Sequence, residues 1–451
     1  MQMREKRFAF SQTGSPQGLF VAGVITYLLL CMFLMIFLPP LPIIAHLIIV
    51  LGIWMLWRWP VGLIALILLL TPFQPLPTLA LKAFGYDGLV ALSSLKEIGM
   101  LGAVCVLAWR RRFKIQRIDI LILGLLGWAL LVSLAQPNPL TWIGLKDDFD
   151  FILPFYAGRL ILLDEKWVKY GLWVAAFVAC LGLIEFFFLG SGPRMLLLGI
   201  TDPSDLVTSY RATYFSGLRA TSTLNSPLEF GAFCGTALLL LASFYRGLSR
   251  KYVVPATLLT AGLIASLTRM AWLALIVGLL VIAFRTGQKL RFTLAVALGV
   301  CVFLLAIVPL LHFEDFISST TNAYDPSLEN HYSSVKAGVS FTLNNPLGVG
   351  AGLVGPRAAA RNPSAMEVES SVILFGMAYG WLGFVLFLAF WSEMAICLRR
   401  NTSTWGIAAS AVGLGMFCML VVSALHIEFA LNSWVLTLLG FGIQESALHP
   451  T

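Results

Sequence analysis

ASLTRMAWLAL, residues 265–275, places one arginine inside an apolar run. From Tyr252 to Phe284 no other side chain ionises, apart from the tyrosine hydroxyl at the edge. An arginine at mid-bilayer costs about 2.5–3.5 kcal/mol even on the translocon-insertion scale. Either Arg269 lies away from the bilayer centre or a ligand offsets that cost. The choice depends on how the surrounding chain crosses the membrane.

Composition implies such crossings. The chain has 451 residues, of which 59% are hydrophobic and 12% charged, against roughly 25% charged in a soluble domain. Arg4, Lys6 and Arg7 lead into an apolar stretch long enough to span, with no small-residue cleavage site after it. The cysteines at 31, 105, 180, 234, 301, 397 and 418 form no CxxC pair or cysteine–histidine cluster. No disulfide framework, zinc site or other metal or cofactor is therefore expected. Apolar runs predict spans near 19–38, 41–57, 60–73, 88–109, 118–135, 149–163, 168–190, 227–246, 253–267, 270–285, 292–311, 371–397, 404–424 and 427–444. A straight crossing takes about 20 residues, so 60–73 and 149–163 read equally as re-entrant. The expected fold is all-α: a polytopic membrane protein of 12–14 transmembrane helices with a large periplasmic loop containing short helices.

Orientation follows from lysine and arginine. With the N-terminus inside and alternating crossings, the cytoplasmic segments are 1–18, 58–59, 110–117, 164–169, 246–251, 286–291 and 398–403. With the flanking Arg285 they carry 19 of the 30 basic residues, as the positive-inside rule requires. The net charge of +8 then reflects orientation, and nucleic acid is not an expected partner. This alternation demands a break near Thr268–Arg269 on the outer side, at the tip of a tight hairpin. The organisation read from the chain is a cytoplasmic N-terminus (1–18), an N-terminal bundle (19–190), a periplasmic loop (191–226), central helices with the Arg269 hairpin (227–311), a large periplasmic loop (312–370) and C-terminal helices (371–451). Long loops without a fold of their own are usually functional.

Arg269 has no acidic neighbour in sequence, and its loop is minimal. A guanidinium there suits a phosphate, which it binds bidentately at any pH; the plain alternative is snorkelling to headgroups. Arg219 in LRATSTLNSPLEFGAF (218–233) closes the first long loop, where Asn225 or Ser226 caps a helix starting at Pro227. Glu229 lies inside the following apolar span and is a candidate partner for either arginine. Glu185, Glu229 and Glu428 read as ion-pair partners or as bases. HYSSVKAGVSFTLNNPLGVGAG (331–352) predicts an amphipathic helix to about Leu343, ended by Asn344-Asn345-Pro346. GVGAG (348–352) reads as a turn, since no phosphate-loop lysine follows. Glu369, where the second long loop meets a span, can accept a proton from a sugar hydroxyl if partly desolvated. A carboxylate or serine there is also an ordinary cap.

Three stretches together resemble the O-antigen ligase and polysaccharide polymerase family of bacterial inner-membrane glycosyltransferases. They are LRATSTLNSP (218–227), SLTRMAW (266–272), and NNPLGVGAG (344–352) followed by ESSVILFGMAYGWLGF (369–384). Their order matches the family's arginine before an Asn/His-Pro turn, serine–arginine hairpin, Pro-x-Gly-x-Gly signature and helix ending in Gly-x-x-Gly. The resemblance covers roughly the second half of the chain. It implies metal-independent, inverting transfer of a glycan from undecaprenyl diphosphate to an acceptor hydroxyl at the periplasmic face of the inner membrane. Arg219 and Arg269 would hold the diphosphate, with Arg211, Glu229 and Lys336 in support. Glu369, or His331, would act as base. The chain departs from the pattern at Glu369-Ser370, where a ligase carries His-Asn, and at Thr268-Arg269. These departures lean towards a polymerase of exopolysaccharide or O-antigen repeat units, with ligation to lipid A–core as the alternative. His331 or His426 is available to replace the missing histidine. Expected partners are the undecaprenyl-diphosphate-linked glycan donor, a glycan or lipid-linked acceptor, the bilayer, and chain-length regulators or export proteins. A lipid-linked glycan flippase or secondary transporter is the rival class. Transporters gather charge on broken helices at mid-membrane and often show inverted repeats, and neither pattern is visible in this sequence.

Overall fold

The computed structural model describes residues 40–76, 95–111, 113, 115–189, 218–224, 226–244, 250–287, 326–362 and 365–448. The spans expected at 19–38 and 292–311, together with Arg211 and Asn225, lie outside the described residues. The chain divides into two units, Met1–Leu63 and Ile64–Thr451. In the first, α1 (Pro40–Arg58) is apolar, and the turn after it is held by Trp59 N–H donating to the Met55 carbonyl at 2.6 Å. Helix α2 (Pro60–Leu70) begins on its proline.

The second unit continues with α3 (Leu95–Arg111), α4 (Arg117–Ala135), α5 (Thr141–Phe149), α6 (Ile152–Leu160), α7 (Glu165–Phe188), α8 (Pro227–Phe244), α9 (Val253–Ala265), α10 (Arg269–Thr286), α11 (Pro326–Asn344), α12 (Pro356–Arg361), α13 (Ser371–Arg400), α14 (Thr404–Val422) and α15 (Phe429–Leu448). The protein is an all-α polytopic membrane protein. Six of these helices (α4, α7, α8, α10, α13 and α14) are long and apolar enough to cross a membrane. In lipid a helix satisfies its own backbone, so packing rests on shape and on small residues. The pair α6 and α15 shows this: Thr437 Oγ1 donates to the Pro154 carbonyl at 3.2 Å, and glycines 158 and 440 let the two backbones meet.

The run 252–285 is two helices. α9 ends at Ala265, Leu267 takes a left-handed turn (φ 48°), and α10 starts at Arg269. The stretch 149–163, which read as a span or as re-entrant, starts on the last residue of α5 (Phe149) and holds the nine-residue α6. The reason is local. Asp147, Asp148 and Asp150 are buried, and carboxylates in such a place require partners from other elements rather than a lipid-facing helix.

α13 is broken at Gly380, whose φ of 67° departs from the helix. The freed backbone groups are met by the glycine loop that follows α11. Trp381 N–H donates to the Pro346 carbonyl at 3.0 Å, Val349 N–H to Met377 at 3.2 Å and Gly350 N–H to Ala378 at 2.8 Å. Trp128 Nε1 of α4 donates to the Tyr379 carbonyl at 2.8 Å. A Cβ at Gly348 would lie 2.4 Å from the Ala378 oxygen, and one at Gly380 would lie 2.2 Å from that of Pro346. Pro346-Leu347-Gly348-Val349-Gly350 is thus a strip that replaces the missing helical bonds of α13. Its amides serve the protein itself, including Ala351 N–H donating to Ser133 Oγ at 3.0 Å.

Candidate functional site

Two turns brought together at one end of the bundle place both arginines of the diphosphate expectation. Ala220 N–H donates to the Ala265 carbonyl at 3.0 Å, and Thr268 Oγ1 donates to Pro227 at 3.2 Å. The loop carrying Arg219 is thereby tied to the hairpin carrying Arg269. Glu185 shapes that loop: it accepts Thr221 N–H at 2.8 Å, Thr221 Oγ1 at 3.1 Å and Ser222 N–H at 2.5 Å. Ser222 sits at φ 59°, so its local strain is held by a buried carboxylate. Ser226 caps α8 by accepting Glu229 N–H at 3.1 Å. Arg219 is half-buried, whereas Arg269, the first residue of α10, is exposed.

Glu229 is fully buried. It accepts Leu431 N–H at 3.3 Å and so places a negative charge at the N-terminus of α15, where the helix dipole favours it. Lys336 is exposed on α11, the helix that also carries His331.

The large loop pairs two of the expected site residues. His331 Nδ1 lies 2.8 Å from Glu369 Oε2. Ser370, not Glu369, caps α13, accepting Ile373 N–H at 3.4 Å, which leaves the Glu369 carboxylate to the histidine. Hydrogen bonding to Glu369 pushes the His331 imidazole above its ordinary value, against burial and the positive charge of Arg269. The same bond pulls the Glu369 carboxyl below its ordinary value, against burial. Arg269, His331 and Glu369 therefore form one electrostatic neighbourhood, drawn from three separate parts of the chain. Nδ1 is the ring nitrogen that faces the carboxylate.

A second polar cluster was not singled out by sequence reasoning. Lys146-Asp147-Asp148-Phe149-Asp150, at the end of α5, has each carboxylate engaged. Asp147 lies 2.9 Å from Arg357 Nη1 and 3.0 Å from Arg361 Nη2. Asp150 lies 3.0 Å from Lys146 Nζ. Asp148 accepts the Tyr379 hydroxyl at 2.6 Å and faces His426 Nε2 at 3.6 Å. Near it, Lys96 Nζ sits over the Phe429 ring at 4.4 Å and 3.7 Å from Glu97. The available signal was the density of carboxylates beside an apolar run, which topology counting by lysine and arginine does not register. Of the two histidines offered as replacements, His331 meets Glu369, while His426 is buried beneath Phe375, with ring centroids 5.3 Å apart. Among the described residues no group of histidine, cysteine and carboxylate side chains is arranged to hold a metal.

Residues 254–388, from α9 through the first part of α13, match a protein-family model described as O-antigen ligase. No curated protein matches the chain. The family match, together with the many apolar helices, supports the O-antigen ligase/polymerase family and a multi-pass membrane glycosyltransferase of that general type.

Proposed function

We propose that the chain transfers or polymerises a glycan carried on a polyprenyl diphosphate, at the periplasmic face of the inner membrane, by a metal-independent inverting displacement. The observation that carries this reading is the His331–Glu369 pair at 2.8 Å beside Arg269. Arg269 and Arg219 grip the diphosphate and stabilise the charge that develops on it as the glycosidic bond breaks, the task a metal performs in other transferases. His331 Nε2 takes the proton of the acceptor hydroxyl, while Glu369 accepts the Nδ1–H bond and stabilises the imidazolium formed. An imidazole raised above its ordinary value is the better base; a carboxylate held below its ordinary value is better suited to orienting. The reading leans to repeat-unit polymerisation over ligation because Glu369-Ser370 stands where a ligase carries His-Asn.

The test is direct. Purified protein given a polyprenyl-diphosphate oligosaccharide should lengthen or transfer it in the presence of a metal chelator. Absence of product from the wild type, or an unaffected Arg269→Ala variant, overturns the mechanism. Transbilayer movement of the lipid-linked glycan in proteoliposomes, without covalent change, would place the protein with flippases instead. Polymerase and ligase separate by the glycan left in a deletion strain. Loss of an exopolysaccharide with intact lipopolysaccharide indicates a polymerase, whereas bare core with accumulated lipid-linked polymer indicates a ligase.

A further inference from the structure

The segment 367–371 that carries Glu369 is held on both sides. Before it, Ser334 Oγ donates to the Glu367 carbonyl at 3.3 Å, and Val368 is fully buried. After it, Ser371 N–H and Ser371 Oγ both reach the Ser423 carbonyl, at 3.2 Å and 2.7 Å. A carbonyl only accepts, so the single proton of the Ser371 hydroxyl points at Ser423. His426 Nδ1 lies 2.8 Å from the same hydroxyl oxygen. That oxygen has only lone pairs to offer, so Nδ1 carries a hydrogen and donates it. The tautomer of His426 is thus set by Ser371. Its other nitrogen lies 3.6 Å from Asp148 and makes no hydrogen bond among the described residues. His426 is 3% exposed and Ser371 fully buried, so neither touches a substrate directly.

We propose that His426, acting through Ser371, is a positioning residue that sets the register in which Glu369 meets His331. The contact runs from His426 to Ser371, two residues beyond Glu369 at the helix start. The role in turnover rests on the glycosyl-transfer reading above; the positioning itself does not.

Asparagine places an amide N–H where Nδ1 lies, whereas glutamine places one where Nε2 lies. His426→Asn therefore keeps the bond to Ser371, and His426→Gln loses it. The titration of His331, faced by Glu369 and Arg269, is followed by NMR in ¹³C-histidine-labelled full-length protein in detergent, with His331→Asn to assign the signal. Turnover is measured alongside it. His426→Gln and Ser371→Ala should bring the His331 midpoint down towards its ordinary value and lower kcat about tenfold at unchanged donor KM. His426→Asn should retain most of both. An unchanged His331 midpoint in Ser371→Ala overturns the proposal, as does a His426→Asn variant as impaired as His426→Gln. Ser371→Ala removes a single hydroxyl, so it carries the test even if the His426 variants fail to fold. A wild type without transferase activity whose His331 midpoint still responds to Ser371→Ala overturns the glycosyl-transfer reading and leaves the positioning in place.

Discussion

Two polar clusters built from the same residue types differ mainly in access. In one, His331, Glu369 and Arg269 are half-buried to exposed. In the other, Asp147, Asp148 and His426 are buried and tied to Arg357, Arg361, Tyr379 and Ser371. A buried ion pair is weak evidence for net stability, yet breaking it by removing one partner is costly. The half-open cluster is reached by solvent. The buried cluster uses nearly all of its donors and acceptors to hold α5, α12 and α13. On the proposed mechanism, chemistry belongs with the first and geometry with the second.

Substitutions should separate the two by what they damage. The largest effect is expected from Arg269→Ala: a loss in transfer of about 10²–10³-fold, roughly 3–4 kcal/mol of transition-state stabilisation, with the melting temperature nearly unchanged because the side chain is exposed. A large drop in melting temperature would move Arg269 into the structural class. Asp148→Ala should do the opposite, costing about 1–3 kcal/mol of stability by leaving the buried Tyr379 hydroxyl without its acceptor. Thermal unfolding in detergent reads this, and an unshifted melt would break the distinction drawn here.

Glu369→Gln comes next, with a rate loss of about 10- to 100-fold. In the wild type, transfer should rise with pH as His331 loses its proton, with a midpoint above the imidazole's ordinary 6.5 because Glu369 raises it. In Glu369→Gln that limb should move to lower pH, and an unmoved limb would sever the dyad. The stability of the pair has a matching window. The His331 contribution is fully present below 6.5 and fades as pH rises through its raised folded value. The Glu369 contribution is present above 4.5 and fades as pH falls through its lowered folded value. The smallest effect is expected from Ser226→Ala, about 1 kcal/mol of stability through loss of the α8 cap, with transfer per folded molecule unchanged.

The sequence conveyed unequal parts of this arrangement. The division of 252–285 into two helices was legible because loop charge alternates along the chain, and the end of α11 was legible because Asn-Asn-Pro stops a helix. The partnership of His331 with Glu369 was not legible. The residues lie 38 positions apart, and each alone has an ordinary explanation as a surface or cap residue. Of Lys146–Asp150 only Phe149 and Asp150 fell inside the run read as 149–163, and its carboxylates drew no notice, since hydropathy averages a short acidic segment into its apolar surroundings. The glycine signature was read as a turn. Its positive-φ glycines do turn the chain, but the turn exists to lay backbone against the opened helix at Gly380, a contact between segments that no local pattern encodes.

By itself, the sequence determined that the protein is helical and membrane-embedded, where its helices stop, and which family its second half resembles. Those properties depend on hydropathy, loop charge and turn chemistry, all of which act within a few residues. Only the tertiary structure decided which histidine meets Glu369, which carboxylates are buried, and why α13 breaks. Those depend on distances between segments far apart in the chain, and a hydrogen bond distinguishes 2.8 Å from 3.6 Å where sequence distinguishes only residue types.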